Sequence, residues 1–343
     1  MSRIQLRYSL ISKFRAVLMG LSIILIMFCH LDIAQGRNGL EVSSLAKTLH
    51  VFTVGVDIFF FLSGLGLYYS YADKKPTYFA FEKRRLLRIL PLYLVIAGAT
   101  YLIYDLLMHQ QGFLIFAKDL SFFSWIIDGS TKYWNILALV VFYLLFPALY
   151  KFIANGKYAL VKTALFSVLW FASVELLAFF VPYVFSFRIA LCRLPIFVLG
   201  IFVGGLSHGG QTAKKSTFII ASLFGFVMFA LTKIPALGQI AEYVYYPVRA
   251  ALAVSIICTV ILIFEIIEGI SSKLHIALVR VFGWFGGLTL EMYLFHQSYM
   301  ILMEYPYKLL TYPLAAFVFP VSSAAIIFAI RLVMKKVKRC ENI

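Results

Sequence analysis

The residues best suited to chemistry lie in an apolar stretch near the start of the chain. The segment from Phe14 to Asp32 carries Arg15 at one end and His30 at the other. A helix between these two residues would rise about 22 Å and place both on roughly one face, near opposite edges of a hydrocarbon core about 30 Å thick. An imidazole titrates near neutral pH and can act as a general base. His30 could equally be a neutral, hydrogen-bonded imidazole within a helix bundle or at the membrane interface.

The composition around this stretch is that of a membrane protein. Of the 343 residues, 62% are hydrophobic and 13% are charged, whereas soluble domains have about 45–50% apolar and about 25% charged residues. The net charge of +16 is spread over short clusters between apolar runs, which argues against nucleic-acid binding. The four cysteines show neither a CxxC pair nor metal-ligand spacing, so we predict packing residues or free thiols and no metal site.

The elements that must position the polar residues are apolar helices. Charged breaks separate stretches long enough to cross a bilayer, which predicts an all-α polytopic membrane protein of about ten helices in a single domain, 1–343. No signal-peptide cleavage pattern follows the first apolar run, so we expect it to remain as a helix. The predicted spans are roughly 16–33, 50–71, 89–108, 133–153, 160–181, 189–206, 216–232, 248–267, 281–301 and 309–331.

The distribution of Lys and Arg predicts the orientation. Most of the 31 basic residues fall on one side if the N-terminus is cytoplasmic, and this positive-inside bias predicts that both termini are cytoplasmic. Polar residues from at least six helices then share the outer half of the membrane, which favours a polar cavity there. These residues are His30, Asp57, Lys132, Trp134, Glu175, Arg193, Arg249 and His296, with Glu291 near the middle.

The inner side carries a basic cluster at the start of the third helix, formed by Lys83, Arg84, Arg85 and Arg88. Arg84 and Arg88 are four residues apart and share a helix face. The cluster could be a stop-transfer signal that contacts anionic lipid headgroups. It could instead clamp the phosphates of a soluble ligand, because the guanidinium fork matches phosphate oxygens.

Several motifs along the chain resemble the acyltransferase-3 family of integral membrane proteins, which acylate sugars and other hydroxyl groups at the cell surface. One position departs from the pattern: the family commonly has an Arg eleven residues before the His, where this chain has Met19, and Arg15 lies one turn earlier on the same face. The matching motifs are GLSIILIMFCH (20–30), GVDIFFFLSG (55–64), RRLLRILPLY (84–93), WNILALVVFYLLFP (134–147), RLPIFVLG (193–200) and LEMYLFHQ (290–297).

The resemblance implies an O-acyltransferase of the bacterial cytoplasmic membrane. The donor would be a cytoplasmic acyl-CoA, most often acetyl-CoA, and the acceptor a hydroxyl of a surface or lipid-linked polysaccharide. No extracytoplasmic esterase-like domain of the kind some members carry is recognised, so we expect the chain to work alone or with a separate partner. Arg84, Arg85 and Arg88, with Arg15, would hold the donor phosphates.

The remaining candidates each have two interpretations. Asp57 could orient His30 or pair with a basic residue, and His296 could serve the site or make a packing hydrogen bond. Ser63, followed by Gly64, could line a narrow pantetheine tunnel or be ordinary small-residue helix packing. Trp134 could stack on a sugar or belong to the interfacial belt. Arg193 is the second candidate for acceptor binding.

Two other function classes use the same ingredients. A transporter or flippase for a glycan precursor or an anionic solute also needs many helices, internal charges and a basic vestibule, although transporters often show paired repeats with broken helices. A structural subunit of a polysaccharide machine would leave the His and Arg residues without chemistry. For an acyltransferase, either direct transfer with His30 as base or a covalent acyl-enzyme involving His30 is open.

Overall fold

The computed structural model of the chain describes residues 5–30, 49–130, 132–154, 158–302, 318 and 320–328. Helices make up most of these residues, so the predicted helical class is confirmed. The end of the predicted span 16–33, most of the span 309–331, and Cys340 lie outside the described residues. Residues 320–328 are helical.

Fifteen α-helices are labelled here in chain order, with three short 3₁₀ segments and one π-helical segment between them. The 3₁₀ segments are His50–Thr53, Pro182–Phe187 and Pro235–Leu237, and the π-helix is Leu102–Met108. The α-helices are α1 Ser9–Lys13, α2 Arg15–Cys29, α3 Val54–Ala72, α4 Tyr78–Tyr101, α5 Phe113–Leu120, α6 Phe123–Asp128, α7 Trp134–Ala154, α8 Ala159–Phe180, α9 Arg188–Leu191, α10 Leu194–His208, α11 Lys215–Leu231, α12 Gly238–Tyr243, α13 Tyr245–Ile270, α14 Ser272–Gly287 and α15 Thr289–Leu302.

Several of these helices are long and apolar enough to cross a membrane. Within the described part of the chain there are 6 such segments, or 7 if α14 and α15 together form one span. The shorter helices α2 and α11 are also apolar. The protein is therefore an all-α membrane protein, while the count of about ten spans and the cytoplasmic position of both termini stay predictions.

Helix α8 shows why a bilayer is the required solvent. Leu165, Val168, Leu169 and Leu176 each leave more than half of their surface exposed. Exposed apolar surface of this kind along a whole helix would be costly in water, where burial is worth about 25 cal/mol per Å². Lipid tails remove that cost, so these side chains mark a lipid-facing surface.

The predicted span 281–301 is divided in the structure. Helix α14 ends at Gly287 and α15 begins at Thr289, with Leu288 between them. Gly286 and Gly287 precede the break, and glycine weakens a helix interior because its backbone loses the most freedom on folding. Glu291 and His296 therefore belong to a separate helix, α15, rather than to the middle and end of a continuous one.

A two-stranded antiparallel ribbon was not predicted. Strand β1, Gln5–Arg7, pairs with β2, Thr212–Lys214, and Leu6 lies opposite Ala213. Strands of three residues are too short for a period-two pattern to stand out in sequence. The ribbon ties the start of the chain to the residues just before α11.

The chain forms two compact units, each built from three separate segments. The first unit contains Met1–Ser22, Val54–Leu86 and Trp134–Gly286. The second contains Ile23–Thr53, Leu87–Tyr133 and Gly287–Ile343. Helices α2 and α4 each contribute residues to both units.

Close helix packing through glycine holds the first unit together. A methyl group added at Gly200 of α10 would lie 2.0 Å from the Phe61 carbonyl oxygen of α3, and one at Gly64 would lie 2.2 Å from the Phe197 carbonyl oxygen. The same device joins α2 to α14, where a methyl group at Gly286 would lie 1.9 Å from the Ala16 carbonyl oxygen. Small residues let helices approach to backbone contact in a membrane, where the hydrophobic effect does not drive association.

A network of buried hydroxyl groups organises the second unit. The Ser298 hydroxyl of α15 lies 2.7 Å from the Tyr133 hydroxyl, accepts a 2.8 Å hydrogen bond from Thr100 of α4, and donates to the Leu294 carbonyl. Tyr133 is fully buried and has a positive φ of 52°. A non-glycine residue in this conformation costs about 1–3 kcal/mol, which the network and the packing around its ring offset.

We expect Gly200→Ala to destabilise the protein, because backbone atoms of α3 cannot move aside for the new methyl group. Overpacking of this kind costs about 1–3 kcal/mol. Gly98→Ala is the matched control, since no described atom lies within 4 Å of its added methyl group. The thermal unfolding midpoint in detergent should fall for Gly200→Ala and hold or rise for Gly98→Ala. Equal midpoints would show that the α3–α10 contact is looser than the structure describes.

Candidate functional site

The two candidate histidines meet in the second unit. His30, directly after α2, has its Nδ1 atom 2.8 Å from Nε2 of His296 in α15, and the ring centroids are 4.9 Å apart. His296 is fully buried, whereas His30 is half-buried. The sequence predicted each histidine separately, and the structure places them in direct hydrogen-bond contact across 266 positions of the chain.

The tautomers of this pair decide which nitrogen of His30 can act as a base. When Nδ1–H of His30 donates to His296, the lone pair of the His30 ring lies on Nε2, so a general base would act through Nε2. The acceptor on His296 would also stabilise the imidazolium formed once His30 takes a proton. The hydroxyl network described above holds α15 at Ser298, two residues beyond His296.

In the first unit, Asp57 lies within a buried ionic cluster. Its Oδ2 accepts hydrogen bonds from Nε and Nη2 of Arg249 at 3.2 and 2.9 Å, and its Oδ1 lies 3.3 Å from Nε of Arg193. All three residues are at most 5% exposed. Of the two roles considered for Asp57, pairing with basic residues is the contact that the structure shows. The carboxylate joins α3 and α13 to the residue that precedes α10.

Aromatic rings surround the arginines of this ionic cluster. The Arg193 guanidinium carbon lies 5.7 Å from the Trp134 ring centroid and 4.8 Å from that of Tyr246. Both rings are half-buried. Arg249 also donates a 2.8 Å hydrogen bond to the Tyr245 hydroxyl. Trp134 and Arg193, predicted as acceptor-binding residues, are thus neighbours.

Two residues near these arginines were not predicted. Tyr246 precedes Arg249 by three residues and so shares its helix face, a spacing that could have indicated it. Arg188 is the first residue of α9. It donates a 2.8 Å hydrogen bond to Glu175 of α8, and its guanidinium carbon lies 5.5 Å from the Tyr246 ring centroid. No sequence pattern linked Arg188 to Glu175.

The residues of the basic cluster differ in exposure. Arg84 and Arg88 of α4 are exposed, and Nε of Arg84 donates to the Ala80 carbonyl at 3.0 Å. Arg85 instead turns inward, donates to the Ser70 hydroxyl of α3, and lies 5.3 Å from the Phe81 ring centroid. The exposed pair is placed to meet a soluble or headgroup phosphate, while Arg85 is held against α3.

Arg15 contacts the same helix. A methyl group added at Gly66 would lie 2.4 Å from the Arg15 guanidinium carbon, so the guanidinium covers the space that Gly66 leaves. Gly66 and Ser70 are one helical turn apart on α3 and share a face. Arg15 and Arg85 therefore present their guanidinium groups to successive turns of α3. A role for Arg15 in donor binding stays a prediction, as does its replacement of the usual Arg at the position of Met19.

Ser63 is buried three residues before Gly66. Its neighbour Gly64 packs against the Phe197 carbonyl, as the helix-packing interpretation requires. Ser63, Gly66 and Ser70 follow the spacing of a single helix face, so a role for Ser63 beside a donor stays a prediction. Among the described residues, no group of three or more His, Cys, Asp or Glu side chains could hold a metal ion.

Comparison with known families decides the broad identity. The acyltransferase-3 family, whose model is described as an acyltransferase domain, matches residues 17–333. The chain belongs to the acyltransferase-3 family. No curated protein and no solved structure matches the chain. Family membership and the apolar helices together make this member a multi-pass membrane acyltransferase.

We expect Asp57→Asn to destabilise this acyltransferase-3 protein strongly. The change keeps the side-chain volume but leaves two buried guanidinium groups facing a neutral amide, which costs about 3–5 kcal/mol for a broken buried ion pair. Asp73→Asn is the control, because Asp73 makes a comparable 2.8 Å contact with His208 while its side chain is 58% exposed. Thermal unfolding in detergent measures both variants. A similar, small shift for both would contradict a structural role for the buried cluster.

Proposed function

We propose that the protein transfers an acetyl group from acetyl-CoA on the cytoplasmic side to a hydroxyl of a surface or lipid-linked polysaccharide, in the bacterial cytoplasmic membrane. The observation that carries the proposal is the His30–His296 hydrogen bond in a chain of the acyltransferase-3 family. A paired imidazole is the type of base that acyl transfer to a hydroxyl needs.

In the proposed reaction, Nε2 of His30 takes the proton of the acceptor hydroxyl as its oxygen attacks the thioester carbonyl. The C–O bond forms, the C–S bond breaks, and the departing CoA thiolate accepts that proton from the His30 imidazolium. In this reaction His296 acts on His30 rather than on the substrate: with His30 Nδ1 protonated, Nε2 of His296 would accept its hydrogen bond and favour the charged ring. In the alternative covalent route, Nε2 of His30 would attack the thioester carbonyl and release the CoA thiolate. The acceptor hydroxyl would then attack the acyl-imidazole, which restores the free imidazole, and its proton would pass to the thiolate.

The proposed donor site is the basic cluster with Arg15. Exposed Arg84 and Arg88 would meet the nucleotide phosphates first, because a guanidinium fork binds phosphate oxygens bidentately. Arg15 and Arg85 would hold the donor along α3, where Ser63 continues the same helix face as Gly66 and Ser70. The small side chains of that face suit a narrow pantetheine arm.

One observation supports the competing function, which is transport of a glycan precursor or an anionic solute. The break between α14 and α15 is the kind of discontinuous helix that transporters use at their binding sites. The family match favours acyl transfer instead. Solute movement that needs no CoA thioester would favour transport.

We expect His30→Ala to reduce acetyl transfer by about 10²–10⁴-fold, the usual contribution of a general base. The assay follows label from radiolabelled acetyl-CoA into a glycan acceptor, with purified folded protein. His208→Ala is the matched control, because His208 contacts Asp73 at an exposed position outside the proposed site. Near wild-type transfer by His30→Ala would remove His30 from the role of base.

We expect Gly66→Ala to raise the KM for acetyl-CoA without unfolding the protein. The new methyl group meets the flexible end of Arg15 rather than backbone, so the guanidinium moves and the helix packing stays. Gly98→Ala again serves as control. An unchanged KM for the donor would show that the position of Arg15 does not matter for donor binding.

A further inference from the structure

We propose that Arg193, Trp134 and Tyr246 form a binding site for an anionic group of the acceptor glycan, either a sugar carboxylate or a phosphodiester. This inference rests on the proposed function, because it names the class of acceptor that the enzyme would take. Arg193 would bind the anion, and the two rings would pack against the sugar that carries it.

The hydrogen bonding of Arg193 is incomplete within the described part of the chain. The residue is only 3% exposed, yet its Nε and Nη1 atoms are buried without a hydrogen-bond partner there. Nε lies within ion-pair distance of Asp57, at 3.3 Å. An unsatisfied buried donor costs about 1–3 kcal/mol, and more for a charged group. Nε faces the Asp57 carboxylate, and an oxygen of a carboxylate or phosphate would satisfy Nη1.

The charges around Arg193 also favour an anion. Asp57 makes its two hydrogen bonds with Arg249, and Glu175 is engaged by Arg188 at 2.8 Å. Arg193 is the N-cap residue of the 15-residue helix α10. The N-terminal end of a helix carries a partial positive charge that repels a cation and attracts an anion. A negative group beside Arg193 would offset the repulsion between its guanidinium and the N-terminal end of α10, and would accept a hydrogen bond from it.

Two half-buried rings lie beside the buried Arg193 guanidinium. Trp134 and Tyr246 are half-buried, while the guanidinium that lies 5.7 and 4.8 Å from their centroids is buried. Half-buried aromatic rings beside one buried charged group are a residue combination that ligand sites commonly use. A neutral sugar would use the rings alone and leave Arg193 unsatisfied.

The first test measures binding without any donor. Detergent-solubilised full-length protein is heated with galacturonate, with its neutral methyl ester, or with glycerol 3-phosphate. We expect the unfolding midpoint to rise with galacturonate, with glycerol 3-phosphate or with both, and not with the ester. A response to the carboxylate alone supports an acidic sugar, and a response to the phosphate alone supports a phosphodiester-linked polymer. No response to either anion, or an equal response to the ester, would overturn the inference.

Variants then locate the site. Arg193→Gln should lose the anion-dependent shift, whereas Arg280→Gln, at an exposed position of α14, should keep it. If Arg193→Gln does not fold, Arg193→Lys provides the test: it keeps the charge but loses the fork, so the shift should shrink. A full shift in a folded Arg193 variant would overturn the inference.

A transfer assay with two acceptors distinguishes failure of this inference from failure of the proposed function. Acetyl transfer to oligogalacturonate and to its methyl ester is compared in the wild type and in Arg193→Lys. We expect Arg193→Lys to raise the KM for the acidic oligomer more than the KM for the ester. Equal effects on both acceptors would overturn the acidic-acceptor assignment while leaving acyl transfer intact. An anion-dependent shift with no transfer to any acceptor would instead overturn the proposed function.

Discussion

The constraint on which the rest of the structure depends is the cost of charge inside a membrane. An isolated charged side chain at the bilayer centre costs about 2.5–3.5 kcal/mol on insertion scales, so buried charges must meet partners from other helices. Asp57 meets this requirement by joining Arg249 and Arg193. The same contact fixes α3 against α13 and against the start of α10, so it sets the frame in which the neighbouring Trp134 and Tyr246 rings lie.

Close helix packing stabilises the first unit, and hydrogen bonds between hydroxyl groups stabilise the second. Glycines bring α3 and α10 into backbone contact in the first unit, and the glycine at position 66 leaves room for Arg15 against α3. In the second unit, hydroxyl groups of Thr100, Tyr133 and Ser298 hold the helix that carries His296. The first unit holds the ionic cluster and the Arg15–Gly66 contact, and the second holds the histidine pair.

The sequence predicted the helices better than their contacts. Long apolar runs located α3, α7, α8 and α13 within a few residues, because span length is set by bilayer thickness. The break before α15 escaped prediction, since glycines also occur within continuous helices, as Gly64 and Gly66 do in α3. The partners of Asp57 and His30 lie 192 and 266 positions away, and periodicity carries no information at such separations. For Arg15, only the folded chain reveals the contact with Gly66.

The most direct test of the account is the mass of the surface glycan. Mass spectrometry would compare glycan from cells that make the wild-type protein, the His30→Ala variant, or no protein. The account predicts that wild-type glycan carries one additional acetyl group per modified sugar, and that this group is missing from the other two. Identical masses in all three, or full acetylation with His30→Ala, would contradict it.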